Sequence, residues 1–84
     1  MNTTKFTATS TPTYVPVSGL KITNNSNSII WYSVSDTEKT INKTTDGKHP
    51  LMPYQGLEKD VHFEADDYVY VWVESGTAEL GVTS

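Results

Sequence analysis

The chain has 84 residues, a net charge of -4 and no cysteine. A chain of this length forms one domain at most and buries only about 60 to 65% of the surface that its unfolded form exposes. The lack of cysteine excludes disulfides and thiolate metal sites, which favours oligomerisation or docking on a larger body as a source of further stability. With only six Lys plus Arg, we expect no nucleic-acid partner, and without a long apolar run we expect no membrane anchor and no secretory signal.

The N-terminal part of the chain, residues 1–18, predicts a flexible arm. Its first 13 residues are dominated by Thr and Ser and have no apolar periodicity, so they offer no core contacts of their own. The stretch "TYVPV", residues 13–17, favours an edge strand, because Pro16 has no N–H to donate to a sheet ladder. We therefore predict an arm over residues 1–18 and a single β domain over residues 19–84.

Two strand patterns follow the arm. "GLKIT", residues 19–23, places Leu20 and Ile22 on one face and polar side chains on the other. "SIIWYSVS", residues 28–35, is rich in β-branched and aromatic residues, and Ile30, Tyr32 and Val34 form one of its faces. The cluster "NNSNS" between them predicts a hairpin turn.

The middle of the chain is predominantly polar. Residues 36–47, "DTEKTINKTTDG", contain Ile41 as their only strongly apolar residue, which predicts a long exposed loop or a loose hairpin. "HPLMPYQG", residues 49–56, predicts an extended connection anchored by Leu51, with Tyr54 near the tip of a turn. "LEKDVHFEA", residues 57–65, alternates as a strand that would bury Val61 and Phe63.

The closing segment, "YVYVWVESGTAELGVT", predicts a β-hairpin about a Ser75-Gly76 turn. Counting outward from that turn pairs Val71 with Leu80 and Tyr70 with Gly81. One face of the hairpin is then wholly apolar and faces the core. The other face carries Tyr68, Tyr70 and Trp72, and the question is what covers it.

The fold class that these patterns predict is all-β. No stretch favours a helix, because Thr, Asn, Ser, Val, Gly and Pro fill every window long enough to form one. We expect a small antiparallel β-sandwich or a partly closed barrel of about five to seven strands. The predicted core is Leu20, Ile22, Ile30, Tyr32, Val34, Leu51, Val61, Phe63, Val69, Val71, Val73, Leu80 and Val82.

Catalytic and metal chemistry find little support in the residues. His62 and Glu64 would share a strand face, but two ligands make no metal site and the spacing matches no known motif. Neither histidine sits in a nucleophile motif, and no cleft is expected between carboxylates in so small a domain. We therefore predict no enzyme and no cofactor.

The aromatic residues predict a binding surface. Large amphipathic rings beside polar groups are typical of interface centres, and the predicted interface residues are Tyr14, Trp31, Tyr68, Tyr70 and Trp72. Three occupants of this face stay open: the chain's own arm or its 36–56 loop, a neighbouring protein, or a ligand. Stacking of sugars on Trp31, Tyr54, Tyr68, Tyr70 and Trp72 makes a carbohydrate-binding module the alternative function.

Three segments together resemble the small all-β virion proteins of tailed bacteriophages, namely head decoration or cement proteins and related neck and fibre components. These segments are "LKITNNSNSIIWYSVS", "GKHPLMPYQGLEKDVHF" with its Gly-x-x-Pro-Leu connection, and "YVYVWVESGTAELGVT". The resemblance implies a non-enzymatic protein made in the host cytoplasm and located in the virion. It also implies docking on a major capsid protein or another virion protein, commonly as a homo-oligomer such as a trimer or dimer, with an arm that orders on assembly.

Overall fold

The computed structural model describes residues 3–15, 21–44, 46–64 and 66–83. These residues form no helix, which confirms the all-β prediction. The strands are β1 (Thr3–Ala8), β2 (Thr13–Val15), β3 (Lys21–Asn24), β4 (Ile30–Ser35), β5 (His49–Leu51), β6 (Gly56–Glu58), β7 (Tyr68–Trp72) and β8 (Ala78–Thr83). The described part of the chain thus has eight strands, one more than the upper end of the predicted range.

The strands form two four-stranded antiparallel sheets. Sheet A has the order β1-β8-β3-β6 and sheet B has the order β2-β7-β4-β5. Strand β1 pairs with β8, β2 with β7, β3 with β6, and β4 with β5. This is the pairing of one long hairpin rolled up into two layers, which is the topology of a jelly roll.

Consecutive strands mostly change sheet. The connections of residues 9–12, 25–29, 52–55 and 73–77 each lead from one layer to the other, and we call them arches. At one end of the sandwich, the Val73 N–H of one arch donates to the Thr9 carbonyl of another at 2.9 Å, and the Tyr54 N–H donates to the carbonyl of Asn24, at the end of β3, at 2.8 Å. We call the surface formed by these four connections the arch end.

The two predicted hairpins are wrong in their pairing. Strands β7 and β8 lie in different sheets, so Val71 pairs with Thr13 and Tyr32 rather than with Leu80. Strands β3 and β4 are likewise separated. The physical reason is that both strands of each segment carry an apolar face. When the two strands lie in different sheets, these two faces pack against each other across the sandwich and are buried. The turn chemistry does not prevent this, because Gly76 takes its positive φ of 72° within an arch.

The predicted core faces are correct although the strand pairing is not. The core between the sheets consists of Ala8, Val15, Ile22, Ile30, Leu51, Leu57, Phe63, Val69, Val71, Val73, Ala78, Leu80 and Val82, with Phe6, Tyr32 and Val34 at its margin. Val61 is an error, since its side chain is 70% exposed. The chain turns after β6, where the Val61 N–H bonds to the Glu58 carbonyl, so only Phe63 returns to the core. Leu20 lies outside the described residues.

The N-terminal residues belong to the sandwich. Strand β1 pairs along its whole length with β8, and β2 pairs with β7 at the edge of sheet B, which confirms the predicted edge strand. Ala8 and Val15 are fully buried, so residues 3–15 supply core contacts that their composition did not predict. The reason is that two small apolar side chains at the inward positions are sufficient when the neighbouring strand supplies the rest of the ladder.

Candidate binding surfaces

The outer face of sheet B carries the predicted interface residues. Trp31 on β4 lies opposite Trp72 on β7, and Tyr70 lies between Ser33 on β4 and Tyr14 on β2. Because side chains alternate along a strand, the valines of β7 point into the core while its aromatic rings point away from it. The predicted division of β7 into a core face and an aromatic outer face is therefore confirmed.

A loop of the same chain lies over this aromatic face. We call residues 36–48 the strap. Its single strongly apolar side chain, Ile41, forms a second buried cluster with Tyr70 and Trp72, and the exposed fractions of the three are 7%, 6% and 2%. Trp31 and Tyr68 pack at the margin of this cluster. Of the three occupants considered from the sequence, the chain's own loop is the one seen in the structure.

Polar contacts hold the strap to the sheet and to the arch end. The Lys39 N–H donates to the Tyr70 hydroxyl at 3.0 Å, so the buried tyrosine has a partner for its oxygen. The Lys43 ammonium donates to the Ser10 carbonyl at 2.8 Å. The Lys48 ammonium lies 4.6 Å from the centroid of the Trp31 ring, which is within range of a cation–π interaction.

Asp46 closes the strap on itself. Its carboxylate accepts hydrogen bonds from the Lys39 ammonium at 2.6 Å and from the Asn42 N–H at 2.7 Å. The hydrogen bond from Lys39, followed by that from Asn42, lowers the pKa of Asp46 below its ordinary value. A polar sequence can therefore form an ordered turn here and still present Ile41 to the rings beneath it.

Part of the aromatic face stays accessible beside the strap. Tyr14 is 43% exposed, and its ring lies 5.5 Å from that of Tyr68 and 5.9 Å from that of Tyr70 between centroids. A shallow groove of about 360 Å³ next to it is lined by Tyr14, Glu38, Lys39, Thr40 and Tyr70. Contact of Tyr14, Trp31, Tyr68, Tyr70 or Trp72 with a partner stays a prediction, and within one chain Tyr70 and Trp72 are already covered.

The arch end is a second surface, which the sequence did not single out. Thr, Ser, Asn, Gln, Gly and Pro make up 13 of the 18 residues in its loops, and Glu74 is their only charged residue. The described residues include five large hydrophobic side chains that are exposed. Three of them lie at the arch end, namely Ile29, Met52 and Tyr54. An open groove of about 400 Å³ at its margin is lined by Ser28, Ile29, Trp31, Val73, Glu74 and Ser75.

Tyr54 is the most exposed aromatic residue at the arch end. It is 67% exposed, yet its backbone has a φ of 62°, a left-handed conformation that is uncommon for a bulky residue. Its hydroxyl donates to the Asn27 side-chain oxygen at 2.9 Å. The surrounding contacts thus hold a large amphipathic ring in one position at the surface.

Asn24 organises the arch beneath Tyr54. It is fully buried, and its side-chain nitrogen donates to the carbonyls of Ser28 at 2.7 Å and Leu51 at 2.9 Å. Its side-chain oxygen accepts from the N–H and the hydroxyl of Ser26. One asparagine therefore ties the arch of residues 25–29 to β5. In the sequence this residue is part of "NNSNS". The composition of that stretch predicts a turn, but it does not predict a buried side chain with several hydrogen bonds.

The opposite end of the sandwich is charged. Residues 59–67 between β6 and β7 include Lys59, Asp60, Glu64, Asp66 and Asp67. His62, considered as a metal ligand, accepts a hydrogen bond on Nδ1 from the Glu58 N–H at 2.9 Å. Among the described residues no three His, Asp or Glu side chains are grouped to hold a metal ion.

Comparison of the chain with protein-family models, with curated proteins and with solved structures found no match. In the described ranges no helix is long and apolar enough to cross a membrane.

Proposed function

We propose that this chain is a non-enzymatic binding protein that docks on a protein surface through its arch end. The observation that carries the proposal is the clustering of Ile29, Met52 and Tyr54, all exposed, on a surface whose loops contain one charged residue. Charged side chains are depleted and aromatic residues and Met enriched at the centres of protein interfaces. The arch end has this composition, whereas the described residues of the loop between β6 and β7 do not.

The chemistry of the loops supports the same function. Binding loops that recognise protein surfaces are enriched in Tyr, Ser, Gly and Asn, because tyrosine supplies contact area at low conformational cost and the small polar residues adapt their hydrogen bonds. The arch of residues 25–29 contains two Asn and two Ser, and Ser75-Gly76 lies in the arch of residues 73–77. These arches surround a tyrosine that is already held in place.

Rigidity of the arch end favours binding. Tyr54 is held by its bonds to Asn24 and Asn27, and a backbone hydrogen bond from Val73 to Thr9 joins two of the arches. A surface that is ordered before it meets its partner loses less entropy on binding. The left-handed backbone of Tyr54 adds to this argument, since strained residues cluster at functional sites.

We further propose that the docking partner belongs to a virion, with a major capsid protein as the first candidate. The support for this step is an architecture that viral capsid domains use widely, together with the sequence resemblance of the three segments to phage virion proteins, although two of these segments form arches here and not hairpins. A fold does not by itself define a function, so the partner class needs its own experiment. In a lattice, many weak contacts of this kind add up to stable attachment.

The test is co-sedimentation of the full-length chain with phage particles from the host culture that carries its gene. We expect the wild-type chain to sediment with the particles and Tyr54→Ala to bind about tenfold more weakly, as for a central tyrosine of an interface. Val61→Ala is the matched control, because Val61 is equally exposed but lies at the charged end. Equal binding by the wild type and Tyr54→Ala would exclude the arch end, and a wild-type chain that stays in the supernatant would exclude the virion partner.

Glycan binding is the second candidate, and one observation favours it. The groove beside Tyr14 combines a tyrosine ring with the Glu38 carboxylate and the Lys39 ammonium, a set that can stack on a sugar ring and bond its hydroxyls. A glycan array separates the two functions. Binding of particular glycans by the wild type and its loss in Tyr14→Ala would support this candidate, whereas the docking proposal expects no glycan bound and full particle binding by Tyr14→Ala.

A further inference from the structure

The four edges of the two sheets are unequal. Sheet A ends in β1 and β6, and sheet B ends in β2 and β5. Strands β2, β5 and β6 have three residues each, whereas β1 has six. Natural proteins protect sheet edges with short strands, prolines and charges, because a free row of N–H and C=O groups pairs readily with another strand. Strand β5 contains Pro50 and β6 ends in Glu58.

Strand β1 lacks most of these protections. Its sequence is TTKFTA, with Lys5 as the only charge, and the Lys5 ammonium lies 3.9 Å from the Glu79 carboxylate of the adjacent strand. Threonine and phenylalanine favour extended strands. Phe6 packs at the margin of the core and is only partly buried, so its ring would lose further contact with water if a strand were added at this edge.

We propose that a second copy of the chain pairs with β1, antiparallel and about a two-fold axis perpendicular to sheet A. The two four-stranded sheets would then form one continuous sheet of eight strands. A second copy suits this edge because an antiparallel pair of identical strands is self-complementary, as a two-fold interface requires. The arch end is a different surface, so this contact does not depend on the proposed docking function.

The charge on β1 selects the register of this pair. With a two-fold axis perpendicular to the sheet, residues that share a face must lie opposite each other. Two such registers form five residue pairs between the β1 strands. The first places Lys5 opposite Lys5 of the second copy, which is unfavourable because the charges are alike. The other five-pair register places Phe6 opposite Phe6 and Lys5 opposite Thr7 of the second copy. We assign the second register, because it brings the two partly buried rings together and separates the lysines.

The test is the molar mass of the full-length chain in sedimentation equilibrium over a range of concentrations. We expect the mass of the wild type to rise from 9.3 kDa towards twice that value. Thr7→Lys would place a lysine opposite Lys5 in both symmetric pairs and weaken the dimer about fivefold. Thr7 also lies opposite Glu79 of its own chain, so Thr7→Glu is made together with Glu79→Gln, and it should then strengthen the dimer by a similar factor relative to Glu79→Gln alone. Thr23→Lys is the control, since Thr23 lies on the same outer face but on the interior strand β3, and it should leave the mass unchanged.

Three outcomes would overturn the inference. The first is a wild-type mass of 9.3 kDa up to the solubility limit. The second is an equal effect of Thr7→Lys and Thr7→Glu on the dimer, since the proposed register requires one substitution to weaken dimerisation and the other to strengthen it. The third is hydrogen exchange in which the amides of β1 gain no protection as the concentration rises. Thr7 is exposed, and circular dichroism of both variants verifies that they fold.

Discussion

The outer faces of the two sheets differ in their exposure to water. The outer face of sheet A consists of short and charged side chains, such as Lys5, Thr7 and Glu79, that are exposed. The outer face of sheet B consists of aromatic rings beneath a strap that buries Tyr70 and Trp72. One core serves both sheets, but among the residues that the structure describes only sheet B has a second apolar layer on its far side.

The difference indicates where a small chain finds extra stability. Polar contacts on sheet A, such as the 3.9 Å Lys5–Glu79 pair, are exposed and contribute little. Burying two aromatic rings and Ile41 on sheet B removes apolar area from water, at about 25 cal/mol for each Å². A long polar connection therefore becomes part of the folded structure because it contains one apolar residue at the right position.

Replacing Trp72 with alanine is the strongest test of this asymmetry. We expect Trp72→Ala to lower the free energy of unfolding by about 4 kcal/mol, because a buried ring is removed and a cavity is left under the strap. Denaturant titration followed by circular dichroism measures the change. Glu79→Ala on the outer face of sheet A is the control, with an expected change within about 0.5 kcal/mol.

This test also separates a structural ring from one that only contacts a partner. If Trp72→Ala leaves the isolated chain as stable as the wild type, the ring contributes nothing to the fold and the strap cluster is not a second core. Its main role would then have to lie in an interface. The same titration of the wild type at two protein concentrations shows whether dimerisation contributes to the measured value.

Removing the apolar contact of the strap gives a smaller effect. We expect Ile41→Ala to cost about 2 kcal/mol, at the low end for a buried isoleucine because the site lies near the surface. The emission of Trp31 and Trp72 should shift to longer wavelength as water reaches the rings. Thr40→Ala, at the exposed neighbouring position, should change neither quantity. An unshifted emission in Ile41→Ala would mean that the polar contacts of the strap, rather than Ile41, hold it over the rings.

Acid should loosen the strap before it affects sheet A. The pKa of Asp46 is lowered by its hydrogen bonds to Lys39 and Asn42, so the ionised carboxylate stabilises the folded state. This contribution is complete above the ordinary value of 3.8 and is lost as the pH falls below it through the lowered pKa. We expect the tryptophan emission to shift to longer wavelength in this window.

Asp46→Asn provides the comparison for the acid experiment. The variant cannot ionise at this position, so it should lack the stabilisation at neutral pH and show a weaker change in emission below the ordinary pKa. An acid transition identical in the two proteins would assign it to other groups.

Side-chain alternation predicted most of the local structure. The two faces of β7 and the core positions of β4 followed from which side chains share a face, whereas the edge position of β2 followed from Pro16. The error at Val61 has the same origin, because an alternating pattern continues in the sequence of residues 57–65 after the chain itself has turned. A backbone turn after Glu58 leaves no trace in the order of apolar and polar residues.

The binding surfaces were harder to predict than the core. Tyr14, Trp31, Tyr68, Tyr70 and Trp72 were identified as a group, and four of them do gather on the outer face of sheet B around a fifth, Tyr70. The arch end was missed because its residues come from four separate stretches. Only the change of sheet at each arch brings Tyr54 next to Asn27 and Asn24.

The sequence by itself determined the all-β class and the division of the strands into core and outer faces, because both depend on side-chain periodicity within a short stretch. Only the tertiary structure decided which strands pair and what covers the aromatic face. Turns rich in Asn, Ser and Gly are compatible with a hairpin and with an arch, and the choice depends on how the whole chain buries its apolar faces. For the same reason the role of Ile41 became visible only when the strap lay over Tyr70 and Trp72.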